Sequence, residues 1–123
     1  MVLRVIVGLF GVVFLFNAIG FLLTPVETAA SLSMELLDDV GRSSQVGDIG
    51  GFFLGTGAML LIGAYQKSAF WLRAAAVMVG AVALMRILAW LIPDAAFATN
   101  FILIEVVITG LALFAATRFE ADA

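Results

Sequence analysis

The stretch VIVGLFGVVFLFNAIGFLLTPV, from Val5 to Val26, runs between Arg4 and Glu27 without one charged side chain. About 20 apolar residues in a helix, rising about 1.5 Å each, cross a hydrocarbon core of ~30 Å, so the stretch reads as a membrane-spanning helix. A secretory leader also begins with a basic residue and an apolar run, but its apolar part is only about 7–15 residues long. The longer run here is expected to stay in place as a retained anchor.

Three further runs follow. Ile49 to Gln66 is uncharged, a third run between Lys67 and Pro93 holds only Arg73 near its start and Arg86 inside it, and a fourth from Ala95 to Thr117 contains Glu105. A charge near the centre of a spanning helix costs ~2.5–3.5 kcal/mol on insertion scales, while each of the best apolar side chains returns about 0.3–0.6 kcal/mol. Ala74 to Met85 and Val106 to Thr117 are wholly uncharged, so the neighbours outweigh the single ions. The expected architecture is all-α, an integral membrane four-helix bundle with spans at 3–23, 46–65, 70–92 and 95–117. No repeat, low-complexity tract or charge run divides the chain, which reads as one domain over 1–123.

Composition agrees. The 123 residues are 64% hydrophobic and 12% charged, with a mean hydropathy of +1.21, where a soluble domain would carry about a quarter charged residues. There is no cysteine and no histidine. Thiol redox relays, imidazole-held zinc or haem, and Ser-His or Cys-His nucleophilic pairs each lack an essential member. No basic patch exists for nucleic acid.

The connections are unequal. Gln66 to Ala69 and Pro93-Asp94 read as tight turns, the second with Pro to stop one helix and Asp to cap the next. Thr24 to Gln45 is much longer. It opens on Thr24-Pro25-Val26-Glu27, which has the spacing of a capping box with Pro at the first helical position, and closes on Gly41. Val26, Ala29, Ala30, Leu36, Leu37 and Val40 fall on one face, with Glu27, Glu35, Asp38 and Asp39 elsewhere. A short amphipathic helix over 25–40 is expected in the outer loop between helices 1 and 2, on the membrane surface or over the bundle.

Charge distribution gives the orientation. With the N-terminus inside, Arg4, Lys67, Arg73 and Arg118 lie on the cytoplasmic side and only Arg42 lies outside, which places both termini in the cytoplasm.

In helix 2, Gly47, Gly51 and Gly55 recur every fourth residue and form a stripe along which another helix can approach closely. Packing within the monomer is the first expectation, and a homodimer or another membrane subunit docking there is the alternative. Asp48 falls on or beside the same face and is expected to look inward. Asn17, Asp48, Arg86 and Glu105, one from each helix, fall at one level in the outer half of the membrane and are the candidate binding residues. An unpaired charge at that depth is costly, so Arg86 is expected to pair with Glu105, Asp48 or both. Two carboxylates against one guanidinium leave one negative charge over, which calls for a cation, a shared proton or water. No nucleophile with a nearby base, no metal set and no cofactor motif accompanies the cluster, so no catalytic residue, metal or cofactor is expected. Small multidrug transporters, also four helices in a chain of this length, carry their acid in the first helix, where this chain has none.

Gly20-Phe21-Leu22-Leu23-Thr24-Pro25, the acidic loop, Gly41-Arg42-Ser43-Ser44 leading into Asp48-Ile49-Gly50-Gly51-Phe52-Phe53-Leu54-Gly55, then Arg86 and Glu105, together resemble an uncharacterised family of small bacterial four-helix inner-membrane proteins, loosely similar to the DoxX-like group. The resemblance covers nearly the whole chain and implies a four-helix bundle in the bacterial inner membrane. It brings no activity. The expected function is that of a non-enzymatic membrane protein, either an accessory subunit or a self-associating bundle. The alternatives are a transporter or binding protein for a small cationic or protonatable ligand, and a lipid- or quinone-binding module with Val26 to Val40 covering a lateral opening.

Overall fold

The structure, a computed structural model, describes residues 1–122, so Ala123 lies outside the described residues. Five helices follow in order: α1 (Val2–Leu23), α2 (Pro25–Ser31), α3 (Asp39–Gln66), α4 (Ala69–Leu91) and α5 (Thr99–Ala121). α1, α3, α4 and α5 are each long and apolar enough to cross a membrane, which makes the chain a multi-pass membrane protein. They form an antiparallel bundle in which α1 packs on α3, α3 on α4 and α4 on α5, with the sparsest contact between α1 and α5.

The buried face of α1 is Val7, Gly11, Phe14, Ala18 and Phe21. Those steps alternate between four and three residues, the knobs-into-holes spacing that keeps one seam facing a slightly inclined neighbour. The facing surfaces are mostly small: Gly57, Gly63 and Ala64 on α3, Ala75, Ala76 and Ala83 on α4, and Ala112, Ala115 and Ala116 on α5 are all buried. Where lipid is as apolar as the side chains, close backbone approach is the main source of helix association. Gly63 is an instance, since a Cβ there would stand 2.5 Å from Leu72 Cδ2.

Side-chain hydrogen bonds pin one end of the bundle. Arg4 donates from Nε to the Ala64 carbonyl and from Nη2 to the Tyr65 carbonyl, both at 2.8 Å. It thereby satisfies carbonyls that the last turn of α3 leaves without helical partners. Arg73 on α4 forks onto Glu120 on α5, at 3.0 and 2.8 Å. In the sequence these arginines signal only topology.

Three boundaries differ from the sequence expectation. The amphipathic helix is seven residues, Pro25–Ser31, and Leu32 to Asp38 form a non-helical strap before α3 starts at Asp39. Thr24 does precede α2, but its hydroxyl donates back to the Gly20 carbonyl of α1 at 3.3 Å and caps nothing in α2. The capping-box spacing is present, but at a Thr24 φ of −135° and ψ of 63° the hydroxyl makes no cap bond to the α2 amides. α2 ends instead through Ser33, whose φ of 63° puts it in the left-handed region while the Ser33 and Met34 amides donate to the Ala30 and Ala29 carbonyls. That is a Schellman closure built without glycine. Gly41 sits inside α3 and terminates nothing. At the other loop, residues 92–98 are non-helical and α5 starts at Thr99, four residues later than 95, running on to Ala121. Asp94 takes a φ of 63° within this loop and is not the cap.

Candidate functional site

α3 is not uniform: Gln45–Gly50 is a π-helical segment between two α-helical ones. A π turn holds more residues than an α turn, so side chains before it are rotated against those after it, and such segments recur at functional sites. Gly50, not Gly51, is buried here and abuts Phe21, where a Cβ would meet Phe21 Cβ at 3.6 Å. Phe53 stands one helical turn further along, edge-on to Phe14 at 5.2 Å between centroids.

The glycine expectation is overturned, and the pairing of Arg86 is narrowed to one of its expected partners. Gly47, Gly51 and Gly55 have nothing within 4 Å of the position a Cβ would take, so the stripe faces outward and does not pack the monomer. Among the glycines that do pack it are Gly11, Gly57 and Gly63, and Gly57 is a half-turn removed from Gly55. Asp48 is exposed and forms no ion pair among the described residues; Arg86 takes Glu105 alone.

Arg86 stands five residues before the end of α4 at Leu91, and Glu105 six residues after the start of α5 at Thr99, so they share one level of the bundle. The Arg86 Nε lies 3.0 Å from both Glu105 oxygens. The Arg86 guanidinium carbon lies 4.7 Å from the centroid of the Phe101 ring, a cation–π placement that fixes its plane. With 33% and 14% of their side chains exposed, the pair lines a space more than it fills one. No acceptor among the described residues reaches the two terminal nitrogens of Arg86. They are unspent donors.

The space beside them is a cavity of about 760 Å³. All four candidate binding residues, Asn17, Asp48, Arg86 and Glu105, line it. The rest of its wall is apolar: Phe10, Val13 and Phe14 from α1, Ile49, Phe52 and Phe53 from α3, Val79 and Val82 from α4, and Phe101, Ile104 and Ile108 from α5. Leu32 and Met34 of the strap complete it. The sequence placed the polar residues at one depth and a covering segment over 25–40, but read that segment as helical throughout, because irregular backbone has no periodicity to set it apart from a short helix.

A crevice of about 180 Å³, bounded by Phe10, Leu103, Ile104 and Val107, indents the outer surface where α1 and α5 meet. Phe10 and Ile104 line both spaces, and Ile104 is 54% exposed. Cavity and crevice thus share part of their lining where α1 and α5 meet. No group of three acidic side chains comes together among the described residues to hold a metal ion.

Fold and site define a small multi-pass helical membrane protein with a half-open, mostly apolar cavity that is polar at one level. The chain belongs to the family described as Domain of unknown function (DUF4345), whose model matches residues 2–116. No curated protein and no solved structure matches it.

Proposed function

We propose that this protein is a non-enzymatic binding module that takes an apolar molecule from the bilayer and holds it by a hydrogen-bond-accepting head. The observation that carries the reading is the cavity of about 760 Å³ whose apolar wall is broken by Asn17, Asp48, Arg86 and Glu105. Ligand sites are concave, mostly apolar and furnished with a few convergent polar groups. Glu105 occupies Nε of Arg86 and leaves the terminal nitrogens as donors, for which a carbonyl or phosphoryl oxygen is the complement. A free anion is disfavoured, since Asp48 and Glu105 against Arg86 leave a negative excess. A lone cation at Asp48 would leave the arginine donors unused. A quinone carbonyl and the phosphate of a zwitterionic lipid both supply the required acceptor, and the crevice between α1 and α5 gives either a path from the membrane.

The test is native mass spectrometry of the protein released gently from its own membranes, beside an Arg86→Lys variant. Lysine keeps a cation opposite Glu105 and loses the planar fork. The wild type is expected to carry an apolar small molecule that Arg86→Lys largely loses at unchanged helicity, and the adduct mass separates quinone from lipid. A wild type released bare, or a variant that retains the molecule fully, rejects the reading.

A second reading is favoured by the outward glycines. Gly47, Gly51 and Gly55 leave open backbone along α3, and in a membrane such a strip supports self-association or docking to another subunit. The two readings are compatible. For placement, the excess of Arg4, Lys67, Arg73 and Arg118 over Arg42 supports both termini in the cytoplasm with the cavity nearer the outer face, and the resemblance to small bacterial inner-membrane proteins supports a bacterial inner membrane.

A further inference from the structure

The strap from Leu32 to Asp38 has one buried side chain holding it, that of Gln45, while the exposed Arg42 also pairs with Asp38 at 3.1 Å. Gln45, only 9% exposed, accepts from the Leu37 amide through Oε1 at 2.7 Å and donates from Nε2 to the Glu35 carbonyl at 2.9 Å. The same Nε2 lies 4.0 Å from the sulfur of Met34, the residue that faces the cavity. Both backbone groups belong to a segment without secondary structure, so the glutamine amide stands where a neighbouring strand would otherwise satisfy them. Both ends of the strap are strained: Ser33 and Asp39 hold φ values of 63° and 49°, a region costly for residues other than glycine. Arg42 adds a contact at the far end, donating to the Leu37 carbonyl at 2.9 Å, from an exposed position.

The strap thus turns through left-handed residues at both ends, and its buried fastening is the Gln45 amide. Gln45 itself lies in the π-helical segment of α3 that also carries Asp48 and Ile49 into the cavity wall. The fastening and the site are therefore one piece of backbone.

We propose that Gln45 is a positioning residue of the cavity: it latches the strap so that Leu32 and Met34 close one end, and release of that latch opens the cavity to water. This rests on the cavity being the binding site proposed above, yet its test needs no ligand. The chain has no cysteine, so an introduced one reports alone. Ile49→Cys puts a thiol in the cavity wall beneath the strap, and Ala75→Cys puts one at a 0% exposed position between helices away from it. Each is made with Gln45 intact and with Gln45→Ala, placed in lipid nanodiscs, and its labelling rate by a sulfonated, membrane-impermeant maleimide is measured. Such a reagent cannot use the lipid-facing crevice.

With Gln45→Ala, labelling at position 49 is expected to rise at least tenfold while position 75 stays unreactive. Unchanged labelling at position 49 overturns the proposal. An equal rise at both positions also overturns it, since Gln45 would then be a general fold contact. Native mass spectrometry of the same four samples reads occupancy of the cavity separately from labelling, so a failed latch and an occupied or empty cavity are told apart.

Discussion

Gly11 and Gly57 stand back to back where α1 crosses α3: a Cβ built on either would lie 3.0 Å from the other's carbonyl oxygen. Neither obstacle is a flexible side-chain end, so neither can step aside.

Gly57→Ala is therefore expected to force the two helices apart. The added methyl would also meet the Leu15 amide nitrogen at 3.1 Å, a second backbone atom. Overpacking of this kind costs about 1–3 kcal/mol. The measurement is the midpoint of unfolding by sodium dodecyl sulfate, read by circular dichroism. Gly55→Ala, whose methyl would meet nothing within 4 Å, is the matched control and should hold or raise the midpoint.

Arg86 and Glu105 make a second test, because a pair and its halves behave differently. Arg86→Met leaves Glu105 in an apolar wall without its partner, and a lone charge at such a depth costs ~2.5–3.5 kcal/mol on insertion scales. Arg86→Met with Glu105→Met removes both charges and both desolvation costs. The double variant is expected to be more stable than the single one in the same unfolding assay, and to lose the bound molecule all the same. A single variant as stable as the double would show that Glu105 is satisfied by water.

Lys67 offers a gain. It ends α3 with a φ of 51° while its amide and that of Ser68 both donate to the Gly63 carbonyl. This closure favours glycine, the residue for which the left-handed region carries no steric cost. Lys67→Gly is expected to raise stability by about 1 kcal/mol, the cost of holding another residue there. A lowered midpoint would mean that the lysine ammonium does something at this end of the bundle that its backbone does not reveal.

What the sequence made legible follows from which physical rule was in force. Four long apolar runs are read from length and hydropathy, and α1, α3, α4 and α5 stand where those runs do. The common level of Asn17, Asp48, Arg86 and Glu105 follows from counting residues at a constant rise, and all four meet one cavity. Direction around a helix was less secure. Spacing puts Gly47, Gly51 and Gly55 on one face, but a stripe of small residues does not say whether that face meets a neighbouring helix or lies open, and here it lies open. Gly11 and Gly57 were missed for another reason: a glycine's packing depends on a partner on another helix, and α1 contains no stripe that marks Gly11. Gln45 was invisible, since its partners are backbone groups of an irregular segment.

The outward face of α3 can be examined in the same cysteine-free background. Leu54 is 57% exposed and lies beside Gly51 and Gly55, so Leu54→Cys sets a thiol at the edge of the stripe. If two copies meet there, mild oxidation in the native membrane should give a disulfide-linked dimer. Gly51→Phe should abolish it, because the ring fills the strip that the partner backbone needs. The monomer gives no reason for Gly51→Phe to unfold, as a Cβ at that position meets nothing within 4 Å. An unchanged unfolding midpoint with loss of the cross-link assigns the stripe to self-association. A cross-link that survives the phenylalanine removes that role from Gly51 and leaves the face to lipid.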